Sequence, residues 1–211
     1  MNEESRLRES ICRFGSLLYM RGYAHGSSGN ISVRLDDGIL VTPTNSCLGL
    51  LDPAEISKVG TNGKLISGAS PSKEAFLHLA MYGERSAARG IVHLHCTHAV
   101  AVSCQHHENV DDVIPPFTAY HIMKVGKLPL VPYYRPGDKS LAEAVRKMAR
   151  THSAVLLANH GPVVAGKSLE DAVYSIEELE ETAKLSFLLE NKKVNLLTPV
   201  QIGELNASFP S

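Results

Sequence analysis

Apolar side chains recur at helical spacing near the start of the chain. Leu7, Ile11, Phe14, Leu17 and Leu18 fall on one stripe, with Arg6, Glu9, Arg13 and Arg21 off it. That pattern predicts an amphipathic helix over residues 3–22, closed by Gly22. The period then changes: short apolar runs at Ile31 to Arg34 and Ile39 to Val41 flank Asp36-Asp37-Gly38, a hairpin signal, and Thr42-Pro-Thr-Asn45 leaves the second run as a turn. Ser70-Pro-Ser-Lys-Glu74 offers a capping serine, a proline suited to the first helical turn and a glutamate just inside it, so a helix is expected to start there and carry Ala75 to Met81. Ile91 to His95 reads as a strand, Ala99 to Cys104 as the beginning of a helix, and Ser140 to Arg150 as a helix led by Ser140 and Leu141. Ala154 to Leu157 reads as a buried strand, with Pro162 to Ala165 continuing the sheet after the Gly161 turn. Ser168-Leu-Glu-Asp171 resembles a capping box, with Asp in place of the usual Glu, ahead of a long helix whose apolar face is Ala172, Ile176, Leu179, Ala183 and Phe187.

Composition narrows the class of molecule. With 211 residues, 44% of them hydrophobic, the chain suits a single domain spanning 1–211 with a sizeable core. The formal net charge is −1 and the basic residues are scattered, which argues against a nucleic-acid or anionic-membrane partner and leaves small, locally bound anions. Cys12, Cys47, Cys96 and Cys104 show neither metal-site spacing nor the density of a disulfide scaffold, and read as reduced thiols. The opening Met-Asn-Glu-Glu-Ser lacks the basic start of a signal peptide and no later run is long and apolar enough to span a bilayer, so a soluble cytoplasmic protein is expected. Strands and helices alternate without a GxGxxG or GxxxxGK[ST] motif, which gives no indication of a dinucleotide or nucleoside triphosphate site.

The candidate chemistry centres on histidines. Alternation on a strand would put His93 and His95 on one face, as half-buried side chains bonded to carbonyls or as two ligands of a divalent metal. His160, in Ala158-Asn-His-Gly161, is an ordinary turn histidine or a third ligand at a strand end opening into a loop. Glu74 either complements a helix dipole or acts as a general acid/base near that metal. Ser72, Lys73 and the helix start would form an anion site, and Ser27-Ser-Gly-Asn30 a second anion-friendly loop. Tyr120 is a phenolic acid or a core aromatic, and Arg135 a partner for a substrate carboxylate or for a surface acid. His25, His78, His98, His106, His107, His121 and His152 show no spacing that assigns them a role.

The segments Gly26-Ser-Ser-Gly-Asn-Ile-Ser-Val33, Leu40-Val-Thr-Pro-Thr44, Pro71-Ser-Lys-Glu74, Val92-His-Leu-His95 and Asn159-His-Gly161 occur in the same order as motifs of the class II aldolase/adducin family, which the chain resembles over nearly its whole length. That family includes fuculose-1-phosphate aldolase and ribulose-5-phosphate 4-epimerase. The resemblance implies a three-layer α/β/α sandwich with a mainly antiparallel central sheet, assembled as a homotetramer with sites at subunit interfaces. It implies that His93, His95 and His160 bind one zinc, or another divalent metal, per subunit, and that Glu74 is the catalytic acid/base. Tyr120 matches a tyrosine in the aldolase site wall and is a second catalytic candidate. Ser28, Gly29, Asn30, Thr44, Asn45, Ser72 and Lys73 would surround the substrate phosphate, although Lys73 replaces a serine of the fuculose-phosphate aldolase. Pro43 to Leu48, Pro115 to Tyr120, Leu130 to Asp138 and Glu177 to Lys184 resemble a branch that decarboxylates 3-oxo-tetronate 4-phosphates, forming dihydroxyacetone phosphate and carbon dioxide through an enediolate at the metal. There Arg135 or Lys73 would place the carboxylate. A sugar-phosphate aldolase or 4-epimerase is the alternative implied, and a non-catalytic adducin-like interaction module the third.

Overall fold

The computed structural model describes residues 2–135 and 138–209. Its strands are β1 (Asn30–Arg34), β2 (Gly38–Val41), β3 (Ser57–Gly60), β4 (Leu65–Ser67), β5 (Gly90–His93), β6 (Leu130–Val131), β7 (Ala154–Leu157) and β8 (Gly161–Gly166). They form one sheet in the order β4-β3-β2-β1-β5-β8-β7-β6. All neighbouring strands run antiparallel except β6 and β7. The helices are α1 (Glu3–Met20), α2 (Ala75–Glu84), α3 (Thr97–Ser103), α4 (Ala119–Lys124), α5 (Ser140–Ala149), α6 (Leu169–Leu188) and α7 (Pro199–Ser208).

Alternation along the central strands builds a core on each side of the sheet. Ile31, Val33, Val92, Leu156 and Val164 pack with Ile11, Phe14 and Leu18 of α1, Val102 of α3 and Ile176, Leu179 and Ala183 of α6. Their sequence neighbours Ile91, Val155, Val163 and Ala165 point the other way, onto Leu77 and Met81 of α2 and Leu141 and Val145 of α5. The expected α/β/α sandwich with a mainly antiparallel sheet is therefore what the chain adopts. Each large aliphatic side chain buried this way contributes roughly 1.5–3 kcal/mol, so the sheet is a rigid platform for whatever its strand ends carry. No helix among the described residues is long and apolar enough to cross a membrane.

Several boundaries differ from the sequence reading. The helix expected to be capped by Ser70 begins only at Ala75, because the segment before it is tied to the loop after β2. Pro43 bridges to Pro71, Thr44 N–H donates to Ser70 O and Ser72 N–H donates to Thr42 O. The strand expected to run through His95 stops at His93, where Asn30 on one side and Val163 on the other are its last partners. Ser168 caps α6 by accepting from Asp171 N–H, but the Asp171 carboxylate accepts from Lys167 N–H and pairs with Lys124 at 3.0 Å. Strands β3, β4 and β6 and helices α4 and α7 carry no strong apolar period and went unread. Helix α7, with a full Thr198/Gln201 capping box, buries none of its residues.

Candidate metal and acid–base site

Three loops converge where β5 and β8 end and α2 begins. His93 is the last residue of β5, and His95 follows two positions later on the same side as the chain turns toward α3. His160 enters from the β7–β8 turn, where Asn159 takes a left-handed conformation (φ 55). The end of α3 holds that turn: Asn159 N–H donates to Ser103 O at 3.1 Å and His160 N–H to Ser103 Oγ at 3.2 Å. The next residue must be glycine, since a Cβ on Gly161 would lie 2.3 Å from Leu94 O, and this close approach is what lets the turn lie against the His93–His95 segment. Glu74 occupies the N-cap position of α2 without making a capping bond, so its carboxylate does not serve the helix. It points at the histidines.

The resulting cluster is tight. Ligand atoms of Glu74, His93, His95 and His160 all lie within 4.8 Å of one another. His93 Nε2 is 3.0 Å from His95 Nε2 and 3.4 Å from Glu74 Oε2, and His160 Nε2 is 3.2 Å from Glu74 Oε1. His93 Nδ1–H donates to Pro162 O at 2.8 Å, which fixes its tautomer and leaves the Nε2 lone pair facing the centre. Burial pushes His93 below the ordinary imidazole range and His95 down to about 3, so both stay neutral. For Glu74 burial opposes the charge, but His93, the hydrogen bond with His160 and the Asn30 amide outweigh it and hold the carboxyl below the usual carboxylate range. Neutral imidazoles beside an ionised carboxylate are the donor set of a divalent first-row cation. Their separations match side chains sharing an ion at bonds of about 2.0–2.1 Å.

Of the candidate phosphate residues, Gly29, Asn30 and Ser72 contact residues of this cluster. Asn30 pairs with His93 across β1 and β5, and a Cβ on Gly29 (φ +82) would lie 3.0 Å from His93 O. Ile31 N–H donates to Thr42 Oγ1 at 3.2 Å, and the bonds of Thr42 to Ser72 and of Thr44 to Ser70 lay the segment before Asn45 antiparallel to the one that leads into Lys73 and Glu74. Ser28 Oγ donates to His25 O, and Lys73 is exposed. Arg135 is exposed four residues beyond Val131, and Val131 lies beside Leu157 at the end of the sheet that carries His160. Within this chain Tyr120 does not join the cluster: it lies on α4, is 65% exposed, and its helix is tied to the first turn of α6 through Lys124 and Asp171. That finding removes the core-aromatic reading of Tyr120.

Sequence reasoning passed over a buried polar chain behind Glu74. Asn30 Nδ2 donates to Glu74 Oε2 at 2.7 Å, Asn30 Oδ1 lies 2.6 Å from His78 Nε2, His78 Nδ1 lies 2.6 Å from Ser32 Oγ, and Ser32 Oγ lies 3.0 Å from the Tyr82 hydroxyl. The signal was present in the spacing. Glu74, His78 and Tyr82 follow one another at i, i+4 and i+8, a polar stripe on an otherwise apolar helix, and Asn30 and Ser32 alternate on the strand that faces it.

The chain is 50% identical over 205 residues to 3-oxo-tetronate 4-phosphate decarboxylase of Escherichia coli K12, covering 97% of each chain. A solved structure of YgbL from Escherichia coli, described as an aldolase/epimerase/decarboxylase, superposes with a TM-score of 0.94 at 49% identity over 97% of this chain and 99% of that one. An L-fuculose 1-phosphate aldolase structure superposes with a TM-score of 0.88 at 26% identity, with both chains fully covered. Residues 9–187 match the family described as Class II Aldolase and Adducin N-terminal domain, and the chain belongs to that family.

Proposed function

We propose that this protein is a metal-dependent carboxy-lyase that converts a 3-oxo-tetronate 4-phosphate into dihydroxyacetone phosphate and carbon dioxide. The observation that carries the reading is the convergence of three histidines and Glu74 within 4.8 Å, in a chain half identical to a relative bearing that decarboxylase name. His93, His95 and His160 would hold the metal, zinc by preference for this donor set. When bound, it supplies a Lewis acid that polarises the substrate's C3 carbonyl.

The protein's own groups then account for the remaining steps. Donors from the Ser28–Asn30, Thr44–Asn45 and Ser72–Lys73 segments bind the phosphate and hold the C1–C2 bond roughly perpendicular to the carbonyl plane. C1 departs as carbon dioxide, and the electron pair of the C1–C2 bond passes into the C2–C3 enediolate. Glu74, ionised at rest, takes up a proton from solvent as negative charge develops beside it and delivers that proton to C2, completing dihydroxyacetone phosphate. Arg135 and Lys73 are the cations available to place the departing carboxylate. Tyr120, exposed on this chain, would act from a neighbouring subunit of a homotetramer.

A sugar-phosphate aldolase passes through the same enediolate and differs only in releasing an aldehyde, and likeness to the fuculose-phosphate aldolase fold keeps it as the second reading. The test supplies purified protein with 3-oxo-tetronate 4-phosphate and, separately, fuculose 1-phosphate, with and without a chelator, while dihydroxyacetone phosphate is followed. Chelator-sensitive product from the sugar acid is expected. Product from fuculose 1-phosphate alone would overturn the assignment in favour of the aldolase, and turnover of neither by a protein without bound metal would favour an interaction module.

A further inference from the structure

We infer that His78 is a positioning residue whose Nε2–H, acting through the Asn30 carboxamide, fixes the orientation of the Glu74 carboxylate. The inference rests on the function proposed above for Glu74, but its structural basis is a count of protons.

Asn30 Nδ2–H donates to Glu74 Oε2, 2.7 Å away. Asn30 Oδ1 then faces His78 Nε2 at 2.6 Å, and that nitrogen must carry a hydrogen. His78 is fully buried and held neutral, so its Nδ1 has only a lone pair and must accept from Ser32 Oγ–H at 2.6 Å. Ser32 Oγ is left free to accept from Tyr82 O–H at 3.0 Å. The Ser32, His78 and Asn30 bonds then all donate toward Glu74, while Tyr82 O–H also has Ser32 O, 3.1 Å away, to donate to. The groups facing His78 are Asn30, Ser32 and Tyr82, with His93 and Glu74 next beyond. Asn30 thereby holds Oε2 and leaves Oε1 as the oxygen 3.2 Å from His160 Nε2. Without the His78 donor, the carboxamide can flip and set Oδ1 against the carboxylate.

The test compares the metal-loaded wild type with His78→Leu, which lacks the donor, and His78→Gln, which retains one. Nitrogen NMR of histidine-labelled wild type is expected to show His78 as a neutral Nε2–H tautomer at pH 7, a readout independent of any substrate. His78→Leu is expected to lose about 10- to 100-fold in kcat with little change in KM and one metal still bound, His78→Gln to recover to within several-fold, and His78→Leu to cost little more on top of Asn30→Ala. An Nδ1–H tautomer, or kcat losses that are equal in the two variants or additive with Asn30→Ala, would overturn the inference. The expected tautomer in a wild type that turns over no sugar-acid phosphate would support the proton arrangement while defeating the proposed reaction. Should His78→Leu fail to fold, the tautomer and the His78→Gln kinetics decide.

Discussion

His78 should leave a measurable mark on acid stability. Burial holds the folded imidazole at about 3, against 6.5 for an exposed one. The folded state therefore binds no proton there between those values, whereas the unfolded chain does. The sign follows from proton linkage: this contribution is intact above pH 6.5, is lost as pH falls below it, and levels off near the folded value. Between pH 7 and pH 5 the unfolded state gains most of one proton at this site, which lowers stability by about 2 kcal/mol. Any folded value below about 4 gives nearly the same figure, because the folded state is unprotonated at pH 5 in every case. His78→Gln removes the titrating group and leaves the other histidines in place. Urea denaturation of metal-free wild type and His78→Gln at pH 7, 6 and 5 should show the wild type losing about 2 kcal/mol more than the variant across that range. Parallel pH dependence in the two proteins would mean that His78 is solvated or already charged in the fold, and the buried chain behind Glu74 would have to be redrawn.

Other perturbations address the cluster itself. Glu74→Gln keeps the shape and the three histidines, so metal content should stay at one per chain while kcat falls by about 10²–10⁴; a rate near that of the wild type would remove Glu74 as the proton donor. Gly161→Ala places a methyl 2.3 Å from Leu94 O. The backbone between the two ligand segments must part, with a cost of about 1–3 kcal/mol in urea denaturation and weaker metal binding in a titration; an unchanged affinity would show that the turn's approach does not set the ligand geometry. Alanine at both Lys73 and Arg135 should raise KM for a 3-oxo-tetronate 4-phosphate by roughly 10- to 100-fold, the scale of one charged hydrogen bond, and unchanged steady-state kinetics would end their role.

What could be read in the sequence follows the strength of the local signal. Strands β5 and β7 and helices α1, α5 and α6 are legible because one face or both faces of each are buried, which imposes an apolar period. Strand β3 spans only Ser57–Gly60, and α4 begins at a Thr118 cap after two prolines, so neither carries enough period to announce itself. The misplaced start of α2 has a different cause: Ser70-Pro-Ser satisfies the local rules for a helix start, but long-range bonds to Thr42 and Thr44 claim its backbone. In the site, His93, His95, His160 and Glu74 are legible as a set because metal ligation uses few residue types. His78 was missed because its role depends on two residues of a strand 46 and 48 positions away.

In the proposed reaction the same histidine set would serve an aldolase or a decarboxylase, so the choice between leaving groups would lie in side chains that reach C1. Lys73 immediately precedes Glu74, and Arg135 lies four residues beyond Val131, which pairs with Leu157 ahead of the His160 turn, so the two candidate cations lie on different segments. A carboxylate is an anion before the bond breaks and neutral carbon dioxide afterwards. A cation that gripped it tightly would stabilise the ground state and slow its departure, since only interactions stronger in the transition state accelerate a step. Arg135 is exposed and its charge already acts on the nearby Asp138 carboxylate, so in water its attraction for a further carboxylate is weak. That is the character a positioning cation needs here: enough to orient C1 over the C2–C3 system, too little to hold it there. Its loss should therefore appear mainly in KM, whereas the loss of Glu74, which acts after the carboxylate has gone, should appear in kcat.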